Sequence, residues 1–87
     1  MVKVYFPRQL RDLVGVPADA ESNGATLAEL FAQLEARWPG VRACILDEHG
    51  DVRPHVSLFV NGTGTREPST VLHPGDELFI IPAVSGG

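Results

Sequence analysis

Basic residues are scarce in this chain, and so are cysteine and aromatic rings. Lys and Arg total 7 against 11 Asp and Glu, a net charge of -4, and the cations are scattered along the chain. That removes the electrostatic footprint of a nucleic-acid binder and suits a basic protein partner better. Cys44 is the single thiol, so no internal disulfide can form. Within Val41-Arg42-Ala43-Cys44-Ile45-Leu46 it reads as a small buried hydrophobe. No apolar run approaches the ~20 residues that cross a bilayer, so no membrane partner is expected. The opening Met1-Val2-Lys3-Val4-Tyr5-Phe6-Pro7 is too short and too alternating for a secretory apolar region, which leaves the cytoplasm as the expected compartment.

Motifs for on-chain chemistry are equally sparse. His49, His55 and His73 fall in separate loops without metal-like spacing or a second cysteine, so no metal is expected. Asp47, Glu48 and Asp51 make an acidic loop that lacks the regular ligand spacing of a calcium site. Ser57, Ser69 and Ser85 have no elbow or partner pattern of a hydrolase.

What is present is a clear alternation of elements. The length, 87 residues, suits one domain spanning 1-87 with one modest core. Val2, Val4 and Phe6 alternate with Lys3 and Tyr5, which predicts a strand closed by Pro7. Arg8 to Gly15 reads as a short turn leading into a weak second strand over Val16 to Glu21. Ser22-Asn23-Gly24 is a turn signal. Thr26 and Glu29 then stand at the spacing in which hydroxyl and carboxylate reciprocally satisfy free amides at a helix start, so a helix begins at about Leu27. Leu27, Leu30, Phe31, Leu34 and Trp38 form one stripe at helical spacing that must face a core. Pro39-Gly40 ends the helix.

A short helical turn is expected through Cys44 to Leu46, followed by a surface loop over Asp47 to Asp51. Val56 to Val60 alternates again, and Asn61-Gly62 is the strongest short turn signal in the chain. Thr63 to Pro68 offers a short edge piece. Leu72-His73-Pro74-Gly75-Asp76 turns the chain into a final strand, Leu78-Phe79-Ile80-Ile81, that is apolar on both faces, as a central strand would be. Two strands, one main helix and two or three further strands give an α+β fold. This is the order of the ubiquitin-like β-grasp, a mixed sheet of four to five strands with the helix across one face and the last strand parallel to the first near its centre.

Gly86-Gly87 follow directly on the apolar, strand-forming run Leu78 to Ser85. Glycine has no Cβ, so such a tail, about residues 82-87, threads a narrow channel and leaves its terminal carboxyl carbon open to attack. At a background glycine frequency of about 7%, two terminal glycines arise by chance in roughly 0.5% of chains.

The chain resembles the ubiquitin-like bacterial sulfur carriers, which include the small subunit of molybdopterin synthase and the thiamine- and cysteine-pathway carriers. The resemblance covers nearly the whole chain. It rests on Val4-Tyr5-Phe6 with Leu10-Arg11-Asp12-Leu13-Val14-Gly15, on Thr26-Leu27-Ala28-Glu29-Leu30, on Val60-Asn61-Gly62, and most specifically on Gly75-Asp76-Glu77-Leu78 running to Pro82-Ala83-Val84-Ser85-Gly86-Gly87. Pro82-Ala83 departs from the family's usual Pro-Pro and moves the chain toward the cysteine-pathway type. The resemblance implies that an adenylating enzyme of the ubiquitin-activating type uses ATP to activate Gly87, that a thiocarboxylate forms there, and that a sulfur-acceptor enzyme consumes it. Gly86 would give passage, and Pro82 and Val84 would set the tail's direction. The chain itself would be a carrier with no bound cofactor. The alternatives are a protein modifier joined through Gly87 and a plain interaction domain.

Strand parity completes the expectations. If Leu78 and Ile80 face the helix with Val56, Leu58 and Val60, then Phe59, Phe79 and Ile81 lie on the opposite face, where no second helix can cover them. These three are expected to form a partner-docking patch.

Overall fold

The alternating apolar residues of the strands turn to one side of a five-stranded mixed sheet. This is seen in the computed structural model, which describes residues 1–82. Strand β1 (Val2–Tyr5) buries Val2 and Val4. It pairs antiparallel with β2 (Asp19–Ser22) and parallel with β5 (Glu77–Pro82). Strand β3 (Val56–Val60) lies antiparallel to β5 on its other side, and β4 (Thr63–Thr65) forms the edge, giving the order β2-β1-β5-β3-β4. The last strand thus sits at the centre beside the first, the placement expected of a doubly apolar strand. The two-residue connection Asn61-Gly62 has φ of 50° and 86°, the double positive φ that a tight hairpin of this twist demands and that Asn and Gly supply.

Helix α2 (Leu27–Arg37) carries the predicted stripe. Leu27, Leu30, Phe31 and Leu34 are fully buried and join Val4, Leu58 and Leu78 in one core. Trp38 differs from the other stripe residues. As the C-cap it is half-buried at the core's margin, edge-on to Phe6 at 5.9 Å with the Arg37 guanidinium 4.3 Å over its ring. The helix start also departs from the reciprocal box. The Glu29 amide donates to Thr26 Oγ1 at 3.3 Å, while the Leu27 and Ala28 amides donate to the Thr70 and Pro68 carbonyls at 3.1 and 2.9 Å. A loop from the far end of the chain therefore satisfies the free amides that every helix start leaves. Gly24 packs so closely against this helix that a Cβ would meet the Leu30 backbone nitrogen at 2.7 Å.

Two further short helices qualify the single-helix reading. Residues expected as a turn form helix α1 (Arg8–Val14). The Pro7 carbonyl accepts from Leu10 and Arg11, and Gly15 closes the helix in the left-handed region at φ 83°. Leu10 is its one buried residue, so seven residues carry too little apolar period to display a helix. Strand β2 is shifted from Val16–Glu21 to Asp19–Ser22 because Pro17 has no amide to pair; Val16 is instead buried in the core ahead of it. Helix α3 (Val41–Ile45) lies slightly earlier than the expected turn. Its start is capped by the Glu35 carboxylate, which accepts from the Gly40 and Arg42 amides at 2.9 Å each and titrates below its ordinary value in consequence. Cys44 is half-buried against the core and not fully enclosed.

The start of β5 is fixed by a polar knot. Asp76 accepts from the His73 amide and the Asn61 side-chain amide, both at 2.8 Å, and Asn61 Oδ1 accepts from the Glu77 amide at 2.9 Å. The Lys3 amide donates to the Asp76 carbonyl at 3.0 Å. These bonds tie the β3–β4 hairpin and β1 to the entrance of the strand that leads to the tail. Among the described residues, no helix is long and apolar enough to cross a membrane.

Candidate functional site

Along β5 burial alternates as the pleat requires. Leu78 and Ile80 are 0% and 4% exposed, whereas Phe79 and Ile81 are 36% and 46% exposed on the outer face. Register places Tyr5 beside Phe79 and Phe59 beside Phe79, so one row of aromatic rings crosses the three central strands. The Tyr5 and Phe79 rings stack at 4.4 Å with their planes 4° apart. Phe59 is half-buried. Its neighbour across β3–β4 is Gly64, where a Cβ would lie 3.4 Å from the Phe59 ring, so the missing side chain leaves that ring edge uncovered. Ile81, opposite Ser57, extends the apolar surface toward the end of the strand.

The rim of this patch is charged. Lys3 stands beside Glu77 and Glu21 in register, with its Nζ 5.5 Å over the Tyr5 ring. The Tyr5 hydroxyl donates to Glu77 Oε2 at 2.8 Å, and that bond, with some loss of hydration and the carboxylate's charge, raises the phenol above its ordinary value. An apolar centre with a mixed-charge rim is the anatomy of a protein-docking surface.

The structure therefore brings together Phe59, Phe79 and Ile81. It adds Tyr5, which the sequence reading placed on the outer side of β1 but did not include in the patch; the parallel pairing with β5 is what brings it in. Pro82, half-buried opposite Val56, is the last residue of β5. Having no amide to donate, it suits a position where pairing stops. Val84, Gly86 and Gly87 lie outside the described residues.

The rest of the described surface offers little catalytic chemistry. Among the described residues no three His, Cys, Asp or Glu side chains gather into a possible metal site. The acidic loop's Asp47 accepts from the Asp51 and His49 amides at 3.0 and 2.8 Å, which lowers its pKa below the usual value. His73 lies 3.9 Å from Asp76 and His49 3.7 Å from Glu48, both pairs in loops.

Comparison with known proteins places this geometry. Residues 4–87 match the ThiS family. The sulfur carrier protein CysO of Mycobacterium tuberculosis is 31% identical over 91 residues, covering 99% of this chain and 98% of the relative. The molybdopterin synthase sulfur carrier subunit of Aspergillus niger is 32% identical over 69 residues, covering 70% and 65%. Among solved structures, one chain of the Amycolatopsis orientalis BexX/CysO complex superposes with a TM-score of 0.90 at 30% identity over the full length of both chains. The fold and the full-length match agree, and the chain belongs to the ThiS family of ubiquitin-like sulfur carriers.

Proposed function

We propose that the Gly87 carboxylate is the sulfur-bearing group and that the outer sheet face is where enzymes grip the carrier. The observation that carries this reading is the family match, which runs unbroken through Gly86-Gly87. A carboxylate is a poor electrophile. An adenylating partner solves that by letting a Gly87 oxygen attack the α-phosphorus of ATP, with pyrophosphate leaving. The acyl-adenylate carbonyl then accepts a sulfide sulfur and AMP departs, leaving a thiocarboxylate. A persulfide donor instead gives an acyl disulfide, which a second thiol reduces to the thiocarboxylate as it forms a disulfide with the donor. The thiocarboxylate's softer sulfur attacks an electrophilic substrate held by an acceptor enzyme. The chain supplies no acid, base or bound cofactor to these steps; ATP belongs to the partner. Gly86 gives passage, and Pro82 and Val84 direct the tail.

A CysO relative is found in complex with BexX, which supports a carrier that works through enzyme partners. CysO proteins align end to end with this chain, whereas the molybdopterin synthase subunit aligns over 70% of it. That contrast favours the cysteine or a related thio-metabolite pathway over molybdopterin. Phe59, Phe79 and Ile81, with Tyr5, form the docking patch shared by the activating and acceptor enzymes.

The decisive experiment is the intact mass of the chain recovered from its host. A gain of ~16 Da, oxygen replaced by sulfur, supports the thiocarboxylate, and ladders of larger conjugates would assign the chain to protein modification instead. Deleting Gly87, or adding one residue after it, should abolish the gain without unfolding the domain. Normal sulfuration of either variant would refute the assignment to Gly87.

A further inference from the structure

Strand β5 has a second apolar surface at its end, on the side away from the docking patch. Pairing with β1 reaches only Tyr5 and Phe79. Pro7 then turns the chain into α1, so β5 runs on past its neighbour. Helix α1 leaves a groove of about 410 Å³ beside that overhang. Leu10, Ile45 and Ile80 line it as buried core residues, and Pro82 and Leu13 line it too. Leu13 is 75% exposed, more than the other exposed large hydrophobics among the described residues.

Among the described residues Arg53 is the one charged side chain bordering the groove, His55 stands beside it and no carboxylate lines it, although acids outnumber bases in the chain by 11 to 7. Arg53 is held in place, its Nε donating to the Ala43 carbonyl at 2.7 Å. Apolar walls with a positioned cation complement an apolar side chain next to a carboxylate.

Position identifies the bearer of that side chain. Gly87 is five residues beyond Pro82, so at 3.3–3.6 Å per residue its carboxylate stays within about 18 Å of the groove. An enzyme that closes on that carboxylate must cover the root of the tail, and the root has apolar surface on both sides. We infer that the groove between α1 and the end of β5 seats an apolar side chain flanked by an Asp or Glu of the adenylating enzyme, so that the enzyme clasps β5 from both faces. This inference rests on the function proposed above.

The test uses the full chain and the adenylating enzyme of its own host, with affinity read by calorimetry and activation by ATP–pyrophosphate exchange. Leu13→Asp and His55→Glu alter exposed side chains, so both should melt like the parent. Each should weaken binding at least about fivefold, the loss expected of an interface anchor worth more than 1 kcal/mol. N-ethylmaleimide on Cys44, the chain's only thiol and itself in the groove lining, should do the same by filling the groove. Parent-like binding of both variants, with Ile81→Glu still impaired, would overturn the inference and leave the tail chemistry standing. A parent chain that is never adenylated would instead overturn the functional reading and this inference with it. Sedimentation checks for another occupant: if the parent self-associates, Leu13→Asp is monomeric and enzyme binding is unchanged, the groove belongs to a second copy and the inference fails.

Discussion

Ile80 and Ile81 are chemically identical neighbours whose substitution should have opposite consequences, because the strand pleat sends one into the core and the other into solvent. Ile80 is 4% exposed and belongs to the cluster that includes Leu58 and Leu78. Truncating it to alanine removes three carbons from a packed interior and should cost about 2–5 kcal/mol. For a domain of this size that lowers Tm by at least about 8 °C, at roughly 4–8 °C per kcal/mol. Ile81 is 46% exposed. Ile81→Glu forfeits only part of a half-wet side chain and some strand preference, a loss of less than about 1 kcal/mol. It also places a charge at the strand-end edge of the proposed docking patch, where it should weaken binding of the adenylating enzyme by more than ~1 kcal/mol. Urea melts and calorimetry on the two variants separate the effects: Ile80→Ala should show its main loss in stability, and Ile81→Glu its main loss in binding. A collapse in Tm for Ile81→Glu comparable to that of Ile80→Ala would show that the outer face is a second core. Unchanged binding for Ile81→Glu would remove the patch from the partner interface.

Leu34→Ala should cost about 2–5 kcal/mol by opening a cavity under the helix stripe, and urea melts matching the parent would contradict the burial of that position. Gly24→Ala should cost about 1–3 kcal/mol, since the added methyl meets backbone of α2 that cannot swing aside; an unchanged Tm would mean the Gly24 loop retreats freely. Asp76 titrates below its ordinary 3.8 because the His73 amide and then the Asn61 side chain donate to it. A depressed carboxylate contributes stability that is complete above the unfolded value and is lost as pH falls through the folded one. Asp76→Asn should therefore flatten the fall in stability below about pH 4, and equal acid slopes for variant and parent in chemical melts would refute the role of that carboxylate.

The long-period features were legible in the sequence because each is enforced locally or by one large apolar face. Leu27, Leu30, Phe31 and Leu34 announced α2, Asn61-Gly62 announced the hairpin, and the doubly apolar β5 announced a central strand. What stayed hidden depends on partners distant in sequence. Helix α1 buries only Leu10, so nothing periodic marks it. The Leu27 and Ala28 amides are satisfied by carbonyls some 40 residues later, which no local capping pattern encodes. Tyr5 joins the outer apolar patch only because β1 and β5, at opposite ends of the chain, lie parallel and bring its ring onto Phe79. The groove beside β5 arises from a strand running past its neighbour, a property of register that residue types do not display.

That overhang bears on how a carrier with no catalytic groups of its own can serve enzymes well. Up to Phe79, strand β5 is held on both sides; beyond it, register with β3 continues through Pro82. Asp76 and Asn61 anchor the other end of the same strand. The last residues of β5 therefore leave the sheet in a direction set by ladder bonds that form when the chain folds. A glycine tail offers an enzyme passage but no direction of its own, because glycine explores so many backbone angles. For the reaction proposed at Gly87, a root direction set by folding would remove part of the positional entropy before any enzyme binds. On this account a substitution that frees the root while leaving the core intact, such as Pro82→Gly, should slow adenylation at saturating enzyme more than it weakens binding. An effect confined to affinity would mean that the partner's channel alone orients the tail.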